Sequence, residues 1–157
     1  MSKFLRKGET SEFDQRVLEI RRVTRVVAGG KRFNFRTAIV LGNKKGKVGV
    51  GIGKGADVSM SIDKAVRDAK KNMKIVLMKD KTIPHEVSEK YKSVKLFIKP
   101  APKGSGIIAG GALRAVCELA GIENISAKVL SKGSNKVSVA RAAISALSKL
   151  KNKKQQH

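Results

Sequence analysis

Along the first third of the chain apolar and polar residues alternate, and after Asp57 the apolar ones recur every third or fourth position, so strands give way there to a helix. From Arg16 the β-branched residues Val17, Val23, Val26 and Val27 predict a strand running into Ala28-Gly29-Gly30, a turn or bulge. A second strand, Arg32 to Leu41, carries Phe33, Phe35, Ile39 and Val40. Gly42-Asn43-Lys44-Lys45-Gly46 makes a short hairpin loop, and a third strand starts at Lys47. The helix presents Ile62, Ala65, Val66, Ala69, Met73 and Val76 on one face and takes Asp57 or Ser59 as its cap. Asp63 with Arg67 and Lys64 with Asp68 are i,i+4 pairs on its other side. Three antiparallel strands on an amphipathic helix complete a small layered unit.

Met78 to Thr82 is short and basic and reads as a linker. Ile83 to Glu89 and Ser93 to Lys99 read as strands, the second alternating through Val94, Leu96 and Ile98. Pro100 to Gly106 breaks it, and a helix follows with Ile108, Ala112, Leu113, Val116 and Ala120 inward and Gly121 as its C′ residue. Ile125 to Leu130 is a strand and Lys132-Gly133-Ser134-Asn135 a turn with a cap; a final helix from Lys136 buries Val137, Ala140, Ile144, Leu147 and Leu150. The expectation is an α+β chain of two domains. Residues 16–77 form a three-stranded antiparallel sheet packed on a helix, and residues 83–150 an α/β domain of two strands, helix, strand and helix. An N-terminal arm, 1–15, and a basic tail, 151–157, flank them.

In the third strand Gly49, Gly51, Gly53 and Gly55 fall on every second residue, with Val50, Ile52 and Lys54 between them, so the period of two gathers the glycines on one face. Glycine weakens a strand interior, and a whole glycine face means that something comes close to the backbone, either a packed helix or a polyanion. Charge bears on the choice. Arg21 to Ala56 holds ten Lys or Arg and no Asp or Glu, which favours a phosphate backbone as at least part of the answer. The whole chain of 157 residues carries a formal charge of +23, and such a chain repels itself unless it lies beside something strongly negative.

Composition narrows the function classes. Apolar residues make up 41% of the chain, enough for one moderate core or two small ones and too little for a large enzyme. No apolar run approaches the ~20 residues of a membrane span, and MSKFLRKGETSEFD lacks an apolar signal region, so a cytoplasmic protein away from the membrane is expected. Cys117 stands alone, which excludes an internal disulfide, and with two distant histidines it supplies no zinc site of common spacing. Aromatics at 4% leave no stacking platform for single strands and favour recognition of folded RNA by phosphate, ribose hydroxyl and shape.

Familiar nucleotide motifs fail. Gly53-Lys54 is followed by Gly55 and preceded five residues earlier by Val48, so there is no Walker A loop, and strict alternation is not the dinucleotide fingerprint. Gly46-Lys47-Val48-Gly49 matches the KH clamp but sits in a hairpin instead of between helices. Lys103-Gly104-Ser105-Gly106, before a helix, could hold an anion on free amides; no carboxylate pair for magnesium lies nearby, and the alternative is a tight packing loop. His85 has no neighbouring nucleophile and reads as structural, and Cys117 as a small core residue. No cofactor is indicated.

VVAGGKRFNFRTAIVLGNKKGKVGVGIGKG followed by DAKKN, then TIPHEV, KPAPKGSGIIAGGALRAVCELAGI and GSN, closely resembles the bacterial small-subunit ribosomal protein S-five family over roughly residues 12–150. The resemblance implies a first domain similar to a double-stranded-RNA-binding fold and a second α/β domain of a type shared with some small-molecule kinases. It further implies a non-enzymatic constituent of the 30S subunit in the cytoplasm. Such a protein lies on 16S rRNA, touches the fourth and eighth small-subunit proteins, lines the path by which mRNA enters, and influences decoding accuracy. The loop matching Val27 to Arg32 would reach RNA. Ala28 stands where a lysine is common, Lys90-Tyr91-Lys92-Ser93 replaces a small, Gly-rich segment, and Lys136-Val137-Ser138 follows the final GSN in place of Asn-Pro-His-Asn.

The expected RNA-binding set is Arg21, Arg22, Arg25, Gly29, Gly30, Lys31, Arg32, Arg36, Lys44, Lys45, Lys47, Gly49, Gly51, Gly53 and Lys54, with Lys103 to Gly106 as a second anion or RNA contact. Two other readings compete with the ribosomal one. A free-standing dsRNA chaperone shares the sheet and the charge, and a small phosphotransferase would use the loop at 103–106.

Overall fold

The computed structural model describes residues 12–132 and 135–152. Most of the expected arm and tail, and Gly133 and Ser134 of the expected turn, lie outside the described residues. The chain is α+β, with two four-stranded sheets and three helices. In the first sheet β1 (Asp14–Val27), β2 (Gly30–Gly42), β3 (Lys47–Gly55) and the short β4 (Lys74–Ile75) lie side by side and antiparallel. Helix α1 (Val58–Lys71) starts at Asp57, whose side chain accepts from Met60 N at 2.8 Å. Neither expected i,i+4 pair on α1 forms. Asp68 instead accepts from the backbone N–H of Ile52 at 3.0 Å, which ties the helix to the strand beneath it, and from Asn72 Nδ2 at 3.2 Å.

The glycine face of β3 lies directly under α1. A Cβ on Gly51 would run into the backbone of Ala65 and Ala69, one on Gly53 into Ser61 and Ala65, and one on Gly49 would come within 2.6 Å of Ala69 O. The helix answers with small residues of its own: Ser61, Ala65 and Ala69, spaced by four, are its buried positions. Two backbones thus approach through matched rows of missing side chains. Thr37 from β2 and Ser61 from α1 share a buried hydroxyl pair at 2.7 Å in the same layer.

The opposite face of this sheet sends Val40, Val48 and Val50 into a core shared with the C-terminal half. That half is a mixed sheet in the order β5 (Val87–Tyr91), β6 (Val94–Pro100), β8 (Ile125–Val129) and β7 (Ile107–Ile108), of which β7 runs parallel to β8. Helices α2 (Gly111–Ala120) and α3 (Lys136–Ser148) cover its inner face, where Val94, Leu96, Ile98 and Ile125 are buried among Leu113, Val116, Ala140 and Leu147. Gly121 closes α2 at φ 92°, as a C′ residue, and the Asn135 side chain caps α3 by accepting from Val137 N at 3.0 Å.

The two halves meet backbone to backbone. Lys44 N donates to Leu119 O at 2.9 Å and Gly46 N to Ala120 O at 3.0 Å, so the β2–β3 loop takes up free carbonyls at the end of α2. Glycine is needed on both sides: a Cβ on Gly42 would strike the Leu119 backbone, and one on Gly121 the Lys44 backbone. The expected linker is a fastened turn. Lys79 and Thr82 pair across Asp80 and Lys81, which both have positive φ, and Lys81 O accepts from Glu123 N at 2.9 Å.

Candidate nucleic-acid interface

Pairing of β3 with β2 stops at Gly55 opposite Phe35, whereas β1 and β2 pair on as far as Val27 opposite Gly30. Val23–Val27 and Gly30–Asn34 therefore form a two-stranded ribbon with no third strand among the described residues, roughly 16 Å long at ~3.3 Å per residue. Ala28 and Gly29 make the two-residue turn, and Gly30 sits at φ 135°, a conformation that suits glycine. A Cβ on Gly29 or Gly30 would meet nothing within 4 Å, so the tip stands in open space.

Register sorts the side chains of the ribbon and of the sheet at its base into two chemistries. On one face Arg25 lies opposite Arg32, and Arg21 opposite Arg36, which itself lies opposite Lys54. On the other, Arg22 stacks over the Phe33 ring at 3.9 Å from its centroid, beside the exposed Ile20 and Val26. Directly opposed like charges destabilise a sheet. Only Arg21 finds a carboxylate, Glu19 at 3.3 Å; among the described residues no ion pair forms at Arg22, Arg25, Lys31, Arg32, Arg36 or Lys54. Cations set opposite cations, with one carboxylate among them, concentrate positive charge on this face.

The expected residues do not form one patch. Lys44, Lys45 and Lys47 lie at the other end of β2, roughly 40 Å along the strand direction from Lys31. Lys44 adopts φ 57° and faces Asp14 at 3.4 Å, and its backbone is committed to α2. Near Lys47 a shallow cleft brings in Lys70 and Lys74 with Phe13, Met73 and Ile75. These two lysines were missed in the sequence, where the run after Ala69 reads only as a helix end. The pairing of Lys47 with Ile75, which carries Lys74 to this edge, rests on a two-residue strand that no periodicity reveals.

Two sets of expected contacts need correction. Gly49, Gly51 and Gly53 are buried beneath α1, so the close neighbour that their face admits is a helix, and no polyanion reaches it. The loop at 103–106 has no free cradle either: Gly104 N and Gly106 N donate to Asn124 Oδ1 at 3.1 and 3.2 Å, and Ser105 N donates to Pro102 O at 3.2 Å. Nor does a helix begin there, because β7 and Gly110 intervene before α2, and Ile108, expected inward, is exposed. Lys103 remains an exposed cation.

His85 is bonded at both ring nitrogens, Nδ1 to Glu86 O at 2.8 Å and Nε2 accepting from Lys151 N at 3.0 Å, a structural arrangement. Cys117 is fully buried, and desolvation, helped by the neighbouring Glu118 charge, pushes its thiol up to about 12.

The ribosomal protein S5 N-terminal domain model matches residues 13–76 and the ribosomal protein S5 C-terminal domain model residues 89–157. The chain belongs to the ribosomal protein S5 family. Among its relatives, the small ribosomal subunit protein uS5c of Rhodomonas salina is 47% identical over 146 residues, 92% of this chain and 86% of that one. The uS5 of Thermotoga neapolitana is 47% identical over 93% of this chain and 82% of its own length, and that of Campylobacter jejuni (strain RM1221) 46% identical over 94% and 99%. Members of the family are structural proteins of the ribosome and not enzymes, and this chain shares that role. Among the described residues no helix is long and apolar enough to cross a membrane.

Proposed function

We propose that the chain holds 16S rRNA in the cytoplasmic small subunit through the free ribbon and the sheet at its base, with Arg25 and Arg32 on the ribbon and Arg21, Arg36 and Lys54 at its base neutralising phosphates on one face, and Lys31, Gly29 and Gly30 bringing the tip against the RNA backbone. The observation that carries this reading is the set of opposed cations, of which only Arg21 has a carboxylate partner, on a ribbon and its base where no third strand among the described residues pairs with the ribbon. Arg22, stacked on Phe33, adds a cation on the second face. Lys44, Lys45 and Lys47, joined by Lys70 and Lys74, form a second basic edge at the far end of β2. The proposal includes contacts with the fourth and eighth small-subunit proteins, a place beside the mRNA where it enters, and an influence on accuracy, which the family resemblance supports.

Binding of the full chain to 16S rRNA is expected to weaken with salt, with log K falling against log salt by ~0.7–0.9 per phosphate contact. Lys31→Ala with Arg32→Ala makes that slope shallower by up to about two while the melting temperature holds. Equal affinity at low and high salt would refute the mechanism, and loss of fold would make the two side chains structural. Cosedimentation with 30S particles through a high-salt wash separates a resident subunit protein from a free RNA chaperone.

A further inference from the structure

The second sheet has an outer face that no element among the described residues covers. Its inner face is spent on α2 and α3, while Ser88 and Lys90 of β5, Lys95, Phe97 and Lys99 of β6, and Ser126 and Lys128 of β8 point the other way. Cross-strand register makes this a grid: Lys90 opposite Lys95, Ser88 opposite Phe97 opposite Lys128, and Lys99 opposite Ser126. Glu89, the acidic residue within β5, points inward, where it accepts from Ser145 Oγ at 3.3 Å and pairs with Lys149 at 2.6 Å. Lys90, Lys95, Lys99 and Lys128 are exposed and form no ion pair among the described residues.

From this we infer a second RNA-binding surface: the outer face of the β5–β6–β8 sheet takes the phosphate backbone of a folded RNA through Lys90, Lys95, Lys99 and Lys128. The inference rests on the proposed RNA-binding role and extends it to the C-terminal half. Lys90 directly opposite Lys95 is the arrangement that costs a sheet stability unless an anion lies over it, as on the ribbon. The patch spans ~13 Å along β6 and ~10 Å across three strands, wide enough for several phosphates. Its cations are all lysines, which act as point charges on phosphate, and its centre holds a single half-buried aromatic, Phe97. Protein interfaces have the reverse composition, with lysine depleted and aromatic anchors in pockets. The exposed Ile108 and Leu130 lie at the margins of the face and not at its centre.

The test compares three full-length proteins for binding to 16S rRNA across a salt series: the parent, the Lys31→Ala, Arg32→Ala ribbon variant, and a variant with Lys90→Gln, Lys95→Gln, Lys99→Gln and Lys128→Gln. The lysine variant is expected to show a slope shallower by about three, independently of the ribbon variant's loss. The four Lys→Arg replacements restore the slope, which excludes a packing effect. An unchanged slope in the glutamine variant, with the ribbon variant still impaired, overturns the second surface alone. If neither variant moves the slope, the ribbon reading falls with it. An unchanged RNA slope with failure to enter 30S particles assigns the face to an acidic protein partner and also overturns the inference.

Discussion

The two ends of β2 belong to different physical regimes. From Thr37 to Gly42 the strand is buried on both sides, with α1 over the glycine face and the shared core beneath the other. From Gly30 to Phe33 the same strand is exposed, paired only with β1, and crowded with cations. Glycine serves both ends for opposite reasons. In β3, beside the buried end, its missing side chain lets a helix backbone descend; at the tip of the ribbon its permitted φ closes a turn in open space. A glycine-rich basic stretch is thus a composite, in which the buried end anchors the ribbon and the charge is divided between the ribbon with its base and the far edge.

The sharpest way to break this contrast is a side chain under α1. Gly53→Val should destabilise the fold by about 3 kcal/mol or more, because the new atoms meet helix backbone that cannot turn aside. Gly29→Ala, with nothing within 4 Å of its Cβ, should shift stability by less than about 0.5 kcal/mol. Urea unfolding of the two variants measures the difference directly. Comparable losses at both sites would mean that the ribbon is packed as tightly as the sheet.

A smaller effect is expected at the third glycine cluster. Asn124→Ala removes the acceptor of Gly104 N and Gly106 N in a partly buried loop, and should cost about 2 kcal/mol. Asn124→Asp keeps the acceptor and should retain most of that stability. Added phosphate should not stabilise the parent through this loop, because its amides are already occupied; a rise in melting temperature with phosphate that Asn124→Ala abolishes would show otherwise.

Much of the fold could be read from local pattern. The first hairpin, a helix cap at Asp57 or Ser59, the Gly121 terminus and the buried positions Val137, Ala140, Ile144 and Leu147 of α3 each follow from spacing within one element, and the structure selects Asp57. What escaped depends on partners distant in sequence. β4 and β7, at two residues each, are too short to show a period, and Gly106 and Gly111 at positive φ turn the segment before α2 into a strand and a turn. Asn124 lies about twenty residues from the amides it bonds, so nothing near the Gly loop announces it. The face of β3 was predicted but its occupant was not: a glycine row is compatible with a helix or a polyanion, and the signal that decides is the small-residue row Ser61, Ala65, Ala69 on the following helix. For the candidate interface the cations were legible individually, whereas their division between ribbon and far edge required the length of β2.

The buried regime also makes a prediction about pH. With the Cys117 thiol raised to about 12 by burial and by Glu118, the native state keeps its proton after the unfolded chain, ionising near 9, has lost it. That contribution to stability is complete below pH ~9 and declines as pH rises toward 12. The parent should lose about 1 kcal/mol more than Cys117→Ala between pH 8 and pH 10. Iodoacetamide should modify Cys117 at pH 8 only after denaturant is added, and rapid labelling of the native protein would place the thiol outside the core.

The smallest stability effect is predicted where the functional effect is large. Arg25→Ala with Arg32→Ala removes two guanidinium groups that lie opposite each other on an uncovered ribbon. Their mutual repulsion is relieved, while a little strand packing is lost with the side-chain stems. The net change should stay within about 0.5 kcal/mol, and at low ionic strength, where repulsion is least screened, the variant should equal or exceed the parent. Affinity for 16S rRNA should meanwhile fall, with a salt slope shallower by up to about two. Thermal melts at two salt concentrations, set beside the binding series, test both halves of the expectation. If the variant instead unfolds at markedly lower temperature, these arginines hold the ribbon together, and its cations would no longer need an external anion to explain them.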